Sequence, residues 1–414
     1  MKQIQLTIEA LSPLSIGRQK PGGSVSESEN YIPGSVIRGA IAAQILQQSG
    51  HQSANLAQNG GDFQALFLGE TPAIFQNAYP ASIEIDGHPV IQEEVRVLPA
   101  TAVSSKSKSG FKSQDKNGVF DTLIDRFCAE DYGHLYDPNC PMDGGRVEPY
   151  KGFYSKIDDE YYSHSVSKRL LTRVGINRRR ATAEEQILYS IEVLNESQGK
   201  KQKPVTYRGA ILIEDSQLAD SLRQFINTYN EHFRLGGSAS RGLGKVKIEA
   251  NPPEKHPSKV LTQIKDFNHK LKERWKLWRV FNPNQPDLSE EQKYFTIDLQ
   301  SDAILTEQWR RTTVISEAML CEFANVQDES LQLHTAYSSY DYLSGWNSAW
   351  GLMKDVELIT EKGAVYLFST TQLDSWIKKL EDLELKGVGD RTDEGFGQIQ
   401  VCNDFHLVLR EDAK

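Results

Sequence analysis

The sequence predicts an α+β fold built twice, each copy an antiparallel sheet with helices on one face. Three paired observations predict it. Ile4, Leu6, Ile8 and Ala10 alternate with Gln3, Gln5, Thr7 and Glu9, and Phe295, Ile297 and Leu299 alternate with Thr296, Asp298 and Gln300. Both are the period-2 pattern of a strand with one buried face. Leu218, Leu222, Phe225, Ile226 and Tyr229 form an apolar helical stripe, as do Leu373, Trp376, Ile377 and Leu380. After each stripe comes a loop of the form G-x5-G-Φ-G-x-[Val/Ile]: Gly236, Gly242, Leu243, Gly244 and Val246, then Gly389, Gly395, Phe396, Gly397 and Ile399. Strand, helix, several strands, helix, glycine loop and edge strand, found twice at so long a period, describe a duplicated domain with long insertions and not a solenoid.

Composition sets the limits. A chain of 414 residues, 38% hydrophobic and 25% charged, has the length of two or three domains and can bury a sizeable core. No window approaches the ~18 uninterrupted apolar residues of a membrane span, and MKQIQLTIEA alternates where a signal peptide would be apolar. The expected location is the cytoplasm, with no membrane partner. Four cysteines are too few for a disulfide scaffold. The formal net charge of -9 argues against a protein that coats nucleic acid over its whole surface, so a polyanion must meet a local basic patch.

The elements follow in order. After the first strand, SIGRQKPGGSVSESENY is a loop, and YIPGSVIRGAIAAQIL is a helix with Ser35 as its candidate cap and Ile37, Ala40, Ile41 and Ile45 on one face. From about Ala100 to Gly118 the chain turns to Ser, Lys and Gly, a composition expected of a mobile loop. Val174 and Ile176 precede three arginines, and Ile187, Tyr189, Ile191 and Val193 alternate after them, so the arginines lie near the tip of a hairpin or extended excursion. Gly236 is expected as the left-handed stop of the 218–229 helix. NPPEKHPSK reads as a linker and Leu261–Trp278 as a charged connector helix, before FNPNQPDLSEEQK breaks the chain again. The expected division is 1–250 with insertions at about 50–165, a linker and connector at 251–292, and 293–414.

Glycines in the loops permit positive φ and close backbone approach, and freed N–H groups there can form an anion-binding concavity. Arg241 and Lys245 add charge to the first loop. Asp390, Asp393 and Glu394 would repel phosphate from the second, which reads as a packing or docking element. Alone, a glycine-rich turn is only a tight connection. Lys168, Arg169, Arg173, Arg178, Arg179 and Arg180 are the densest basic segment of an acidic chain, the footprint of RNA backbone binding, although a charge cluster is also an ordinary solvated turn.

Taken together, IPGSVIRGAIAAQIL, INRRRATAEEQILYSIEVL, SGWNSAWGLMKDVELITEKGAVYLF and the two glycine loops resemble the RAMP superfamily of CRISPR effector subunits, in particular the large double-domain RAMP subunit of type III-D systems. The resemblance implies two ferredoxin-like (RRM-like) domains, each with its glycine-rich loop before the last strand. It implies a prokaryotic, cytoplasmic subunit at the foot of a type III interference complex that holds the 5′ repeat-derived tag of the crRNA. It would touch the large polymerase-like subunit and backbone RAMP subunits, and meet target RNA indirectly. The candidate RNA-binding residues are Arg38, whose planar guanidinium suits a phosphate, Lys168, Arg169, Arg173, Asn177, Arg178, Arg179, Arg180, Gly236, Gly237, Ser238, Ser240, Arg241, Gly242 and Lys245. Tyr161 and Tyr162 can stack unpaired bases, whereas Tyr189 is expected to point into the core.

Neither metal nor catalysis is expected, and no cofactor is called for. Cys128, His134 and Cys140 are weak zinc candidates, because Asp143 stands where a C-x2-C pair needs its second cysteine. A metal-independent endoribonuclease that processes precursor crRNA is the alternative reading, with His51 as the candidate base. That histidine lies in a polar helix exit. The loop after the first strand offers Glu27 and Glu29 but no Asp for target cleavage. Walker, G-x-S-x-G and H-E-x-x-H motifs are absent from the sequence.

Overall fold

The computed structural model describes residues 1–18, 27–50, 60–85, 88–177, 182–199, 202–255, 257–347 and 351–414. The strand Lys2–Ala10 lies inside a first antiparallel sheet, with Thr206–Ile213 on one side and Val246–Ala250 on the other. Ile8 is opposite Tyr207 in the first pairing and Ile248 in the second. The short strand Ile74–Phe75 lies beyond 206–213. Ile4, Leu6 and Ile8 are fully buried, as their alternation requires, because the helices Gly34–Ser49 and Ser216–Thr228 pack on that face. Burying each such side chain stabilises the sheet by about 1.5–3 kcal/mol.

A second sheet repeats the plan. Lys293–Leu299 lies between Val365–Thr370 and Ile399–Val401, with Gln332–Tyr337 outside. Glu317–Ala324 and Leu373–Lys386 are its helices. Counted along the chain, both sheets run second, third, first, fourth, the order of a ferredoxin-like βαββαβ unit.

The helix ends correct two expectations. Ser35 does not cap the first helix but lies inside it, preceded by Pro33, which has no capping side chain. Asn77 caps it from a distance, its Oδ1 accepting from Gly34 N at 2.8 Å. Gly236 does not stop the 216–228 helix, which ends at Thr228 with Tyr229 as its cap. The role of Gly236 lies in the loop.

The two glycine loops share one backbone geometry. Ser238 and Arg391, each two residues after the first glycine, have φ of 58° and 57°, and a single 3-10 turn follows each, at Ala239–Arg241 and Thr392–Glu394. Gly237 N donates to Ser15 O at 2.8 Å and Asp390 N to Ile304 O at 2.9 Å. Gly244 N donates to Pro13 O, and Gly397 N to Asp302 O, both at 2.9 Å. A Cβ on Gly236 would lie 2.3 Å from Ser15 O, and one on Gly389 2.4 Å from Ile304 O. The bare main chain that the glycines provide is therefore used against the segment following each unit's first strand.

The central insertion is ordered and belongs with the second sheet's packing. The Ser/Lys/Gly stretch expected to be mobile is held by Ser104 Oγ, which donates to Gly118 O at 2.7 Å and accepts from Gly110 N at 3.0 Å. Phe111 anchors it among Tyr150, Tyr154, Tyr161 and Phe405. One buried aromatic outweighs the polar composition around it. Leu123, Ile124 and Cys128 of the helix Leu123–Asp131 join the second sheet's core. The 260–278 helix packs there as well: Ile264, Phe267, Leu271 and Trp275 are buried in that core. Asp125, fully buried, accepts from Arg274 Nε and Nη2 at 2.8 and 2.9 Å and from Trp278 Nε1 at 2.9 Å, which fixes insertion to helix.

Each unit also sends out an arm between its second and third strands. The first arm pairs Lys168–Asn177 with Thr182–Leu194, and the second pairs Tyr340–Asn347 with Leu352–Thr360. Both are rooted alike: Leu14 and Leu194 exchange backbone hydrogen bonds at 3.1 and 2.9 Å, as do Ala303 and Thr360 at 2.9 and 2.8 Å. Beside each root lies a short ribbon, Gly17–Arg18 with Glu27–Ser28 in one unit and Leu305–Glu307 with Arg310–Thr312 in the other. Among the described residues, no helix is long and apolar enough to cross a membrane.

Candidate nucleic-acid interface

The first arm and the first glycine loop form one surface. Arg241 Nη1 donates to Tyr189 Oη at 2.6 Å, and its guanidinium lies 5.3 Å from the Tyr189 ring centroid. Tyr189 is therefore half-exposed and bound to the loop, not pointed into the core as its alternation suggests. Arg173 is the ladder partner of Tyr189, and side chains at paired positions project from the same face of a two-stranded ladder. Arg173, Tyr189 and Arg241 thus make a row of cation, aromatic and cation. Ser240 and Gly242 are exposed beside it, and a Cβ on Gly242 would meet nothing within 4 Å. Gly237 is exposed as well, Ser238 half-exposed. The Lys245 N–H is taken by Ser12 Oγ at 2.7 Å, so Lys245 can offer only its side chain.

Other candidates are engaged within the chain. Lys168 Nζ donates to Ser28 O and lies 3.3 Å from Glu192 Oε2. Arg169 donates to Asn195 Oδ1 at 2.9 Å and Glu196 Oε1 at 3.1 Å. Burial would raise the Glu196 carboxyl, but the Arg169 hydrogen bond holds it below its ordinary value. These two cations brace the arm's root. Arg38 donates to Phe67 O at 2.8 Å, lies 3.3 Å from Asp393 Oδ2 and stacks 5.4 Å over the Phe67 ring. Its guanidinium is turned to the second glycine loop.

Arg178, Arg179, Arg180 and His51 lie outside the described residues; Asn177 ends a strand of the first arm, paired to Thr182. Glu27 is exposed and Glu29 buried. Tyr161 is half-exposed and stacks on Phe111 at the edge of the insertion's cluster. Cys128 is buried in the second core, where desolvation raises its thiol far above the ordinary range. His134 packs on Phe281. Cys140 is buried beside Asp143, which accepts from Ser107 Oγ at 2.9 Å, Ser105 Oγ at 3.0 Å and Asn117 Nδ2 at 2.7 Å. Among the described residues no His/Cys/Asp/Glu group is placed to hold a metal. The broken knuckle is closed by hydrogen bonds to its aspartate.

The second glycine loop is occupied where the first is open. A Cβ on Gly395 would lie 2.8 Å from both Asn77 Oδ1 and Phe75 O, because this loop docks on the first unit's helix start and edge strand. Sequence reasoning read its acidity as a docking signal, and the contacts agree. It missed the cleft of about 530 Å³ between the units, lined by Gln3, Gln5, Arg208, Gln300, Gln398 and Gln400 among others. The only signal was the polar half of each alternating strand. Glu384, also in the cleft wall, is raised to about 7 by burial.

The profile of the RAMP superfamily matches residues 7–247, more than half of the chain. The chain belongs to the RAMP superfamily. The matched RAMP segment holds most of the first sheet, the first arm and the first glycine loop through Val246. No curated protein matches the sequence. Among solved structures, this RAMP chain is similar to a chain of the type III-B Cmr-beta complex bound to cognate target RNA and AMPPnP, at 14% identity over 90% of this chain and 88% of that one, with a TM-score of 0.40. It is also similar to a chain of Cmr-beta bound to cognate target RNA, at 14% identity over 88% and 86%, TM-score 0.38, and to one of the Cmr-beta apo state, at 12% identity over 60% and 96%, TM-score 0.30.

Proposed function

We propose that this chain is a non-catalytic, double-domain RNA-binding subunit of a type III CRISPR interference complex of the III-D kind. It holds the 5′ repeat-derived tag of the crRNA and contacts the large polymerase-like subunit and a backbone RAMP subunit. The observation that carries the reading is the Arg241–Tyr189 contact, which joins an open glycine loop to the arm bearing Arg173 and leading to Arg178, Arg179 and Arg180. Cations with an aromatic face between them suit single-stranded RNA, which is held by its phosphates and read by stacking. Arg38 and the second glycine loop serve the chain's own assembly.

The test is binding of the purified chain to a tag oligoribonucleotide across a salt series, without divalent metal. Arg173→Ala combined with alanine at 178, 179 and 180 should weaken binding at least tenfold and flatten the salt slope by roughly 0.7 for every phosphate left without its cation. Unchanged affinity and slope would remove RNA binding from this surface. Discrete cleavage of repeat RNA, abolished by His51→Ala, would replace the reading with the processing endoribonuclease.

A further inference from the structure

The two arms occupy the same place in their units, spring from the same backbone bridge and flank the same kind of ribbon, yet their surfaces differ in chemistry. The first carries Lys168, Arg169 and Arg173 along its described strand. On the second, Trp309 at the ribbon's turn is 99% exposed, with φ of 66° after Gln308 at 46°. A bulky side chain in the left-handed region is costly and uncommon, and among the described residues the indole is left almost wholly uncovered. Leu352, Met353, Val356, Tyr340 and Tyr342 are exposed along the neighbouring hairpin. Arg311 joins the two parts, 2.6 Å from Glu357 and 2.6 Å from Asp390.

We propose that the second arm, from the Trp309 turn to the paired strands Tyr340–Asn347 and Leu352–Thr360, is a docking surface for a protein of another sequence, one offering an apolar pocket with a basic rim. This rests on the reading of the chain as a complex subunit. Three observations separate protein from RNA as the occupant. Arg311 is neutralised by Glu357 and Asp390, and Lys354 by Glu394 at 3.2 Å, so neither is left for phosphate. Asp355 is exposed on the hairpin and would repel a polyanion. Leu352, Met353 and Val356 are apolar and give no face for base stacking, whereas an exposed tryptophan beside exposed Tyr340 and Tyr342 has the residue types of an interface hot spot. An isolated two-stranded hairpin is also marginal in water, and burial against a partner would fix it.

The test places the photocrosslinker p-benzoylphenylalanine at Trp309, Val356 or, as a separate probe, Arg173, in the tagged full chain purified as its native complex. Positions 309 and 356 should give adducts that resist nuclease and are lost on proteolysis, with mass spectrometry identifying a chain of different sequence. Position 173 should give nuclease-sensitive adducts. RNA adducts at 309 and 356, adducts only to a second copy of this chain, or no adduct would overturn the proposal. A failed adduct at 173 beside a protein adduct at 309 would instead count against the RNA reading alone. Trp309→Ala with Met353→Ser should then reduce recovery of the crosslinked protein at least tenfold and leave tag affinity within twofold. Retention of that protein by the variant would also overturn the proposal.

Discussion

Arg38 Nη2 lies 3.3 Å from Asp393 Oδ2, so the first helix of the first βαββαβ unit is tied to the glycine loop before the last strand of the second. About a quarter of each side chain is exposed, and solvent screening keeps such a pair to about 0.5–1 kcal/mol. Arg38→Ala also removes the donor to Phe67 O and should therefore cost more than Asp393→Ala. A double-mutant cycle read by urea unfolding gives the coupling. Tag affinity should stay within twofold of wild type, and a large loss in Arg38→Ala would return that residue to the RNA surface.

The glycine pair Gly242 and Gly395 separates backbone strain from docking. Both are left-handed, at φ of 84° and 93°, so alanine meets a similar local cost of about 1–2 kcal/mol at either. Only at Gly395 does the new Cβ also strike Asn77 and Phe75 at 2.8 Å. Thermal unfolding should show Gly395→Ala destabilised by at least ~1 kcal/mol more than Gly242→Ala, the cost of displacing packed backbone. Equal losses would mean the second loop's dock contributes nothing.

What could be read from the sequence is what local periodicity and repetition encode. The alternation at Ile4, Leu6 and Ile8 and the twice-written glycine loop led to the two sheets because each is a short-range pattern, the first enforced by one buried face and the second by close backbone approach. Long-range partners left no such trace. Nothing near Ser35 says that Asn77 will cap its helix, and nothing near Phe111 says that Phe405 will hold it in place. Tyr189 sits in an apolar alternation, which argues for the core until Arg241 is seen beside it. The arms' shared root at Leu14–Leu194 and Ala303–Thr360 joins residues far apart in the chain with no common side-chain chemistry, so backbone geometry alone reveals it.

Glu384 should make stability fall as pH rises from about 4.5 towards about 7. Burial raises its carboxyl from 4.5 to about 7, so the folded state holds a proton that the unfolded chain releases, and that advantage is lost as pH passes the folded value. Glu384→Gln keeps the acceptor for Val401 N, now 2.8 Å from Oε1, without the charge. Denaturant unfolding at pH 8 should find the variant more stable by about 1–3 kcal/mol, with no difference at pH 4. A pH-independent difference would mean that Glu384 is not desolvated.

His406 should produce a second slope at higher pH. Its ring is fully buried, with Nε2 2.7 Å from Asp298 Oδ1 and Nδ1 3.2 Å from Asp121 Oδ1. Burial alone would lower its pKa, but the two carboxylates raise it from 6.5 to about 10. The stabilisation is complete below about 6.5 and declines as pH climbs through about 10, because the unfolded chain gives up its proton first. Asp121 belongs to the insertion and Asp298 to the second sheet, so the imidazolium holds the two together. His406→Gln leaves two buried carboxylates facing each other and should cost about 3–5 kcal/mol at pH 6, and the slope above pH 7 should vanish. Asp121→Asn keeps the imidazole with one carboxylate, which should move the slope to lower pH and reduce its total drop. Unfolding free energies measured at half-unit steps from pH 6 to 10 decide it: a wild-type curve flat over that range would show that His406 is neutral in the fold.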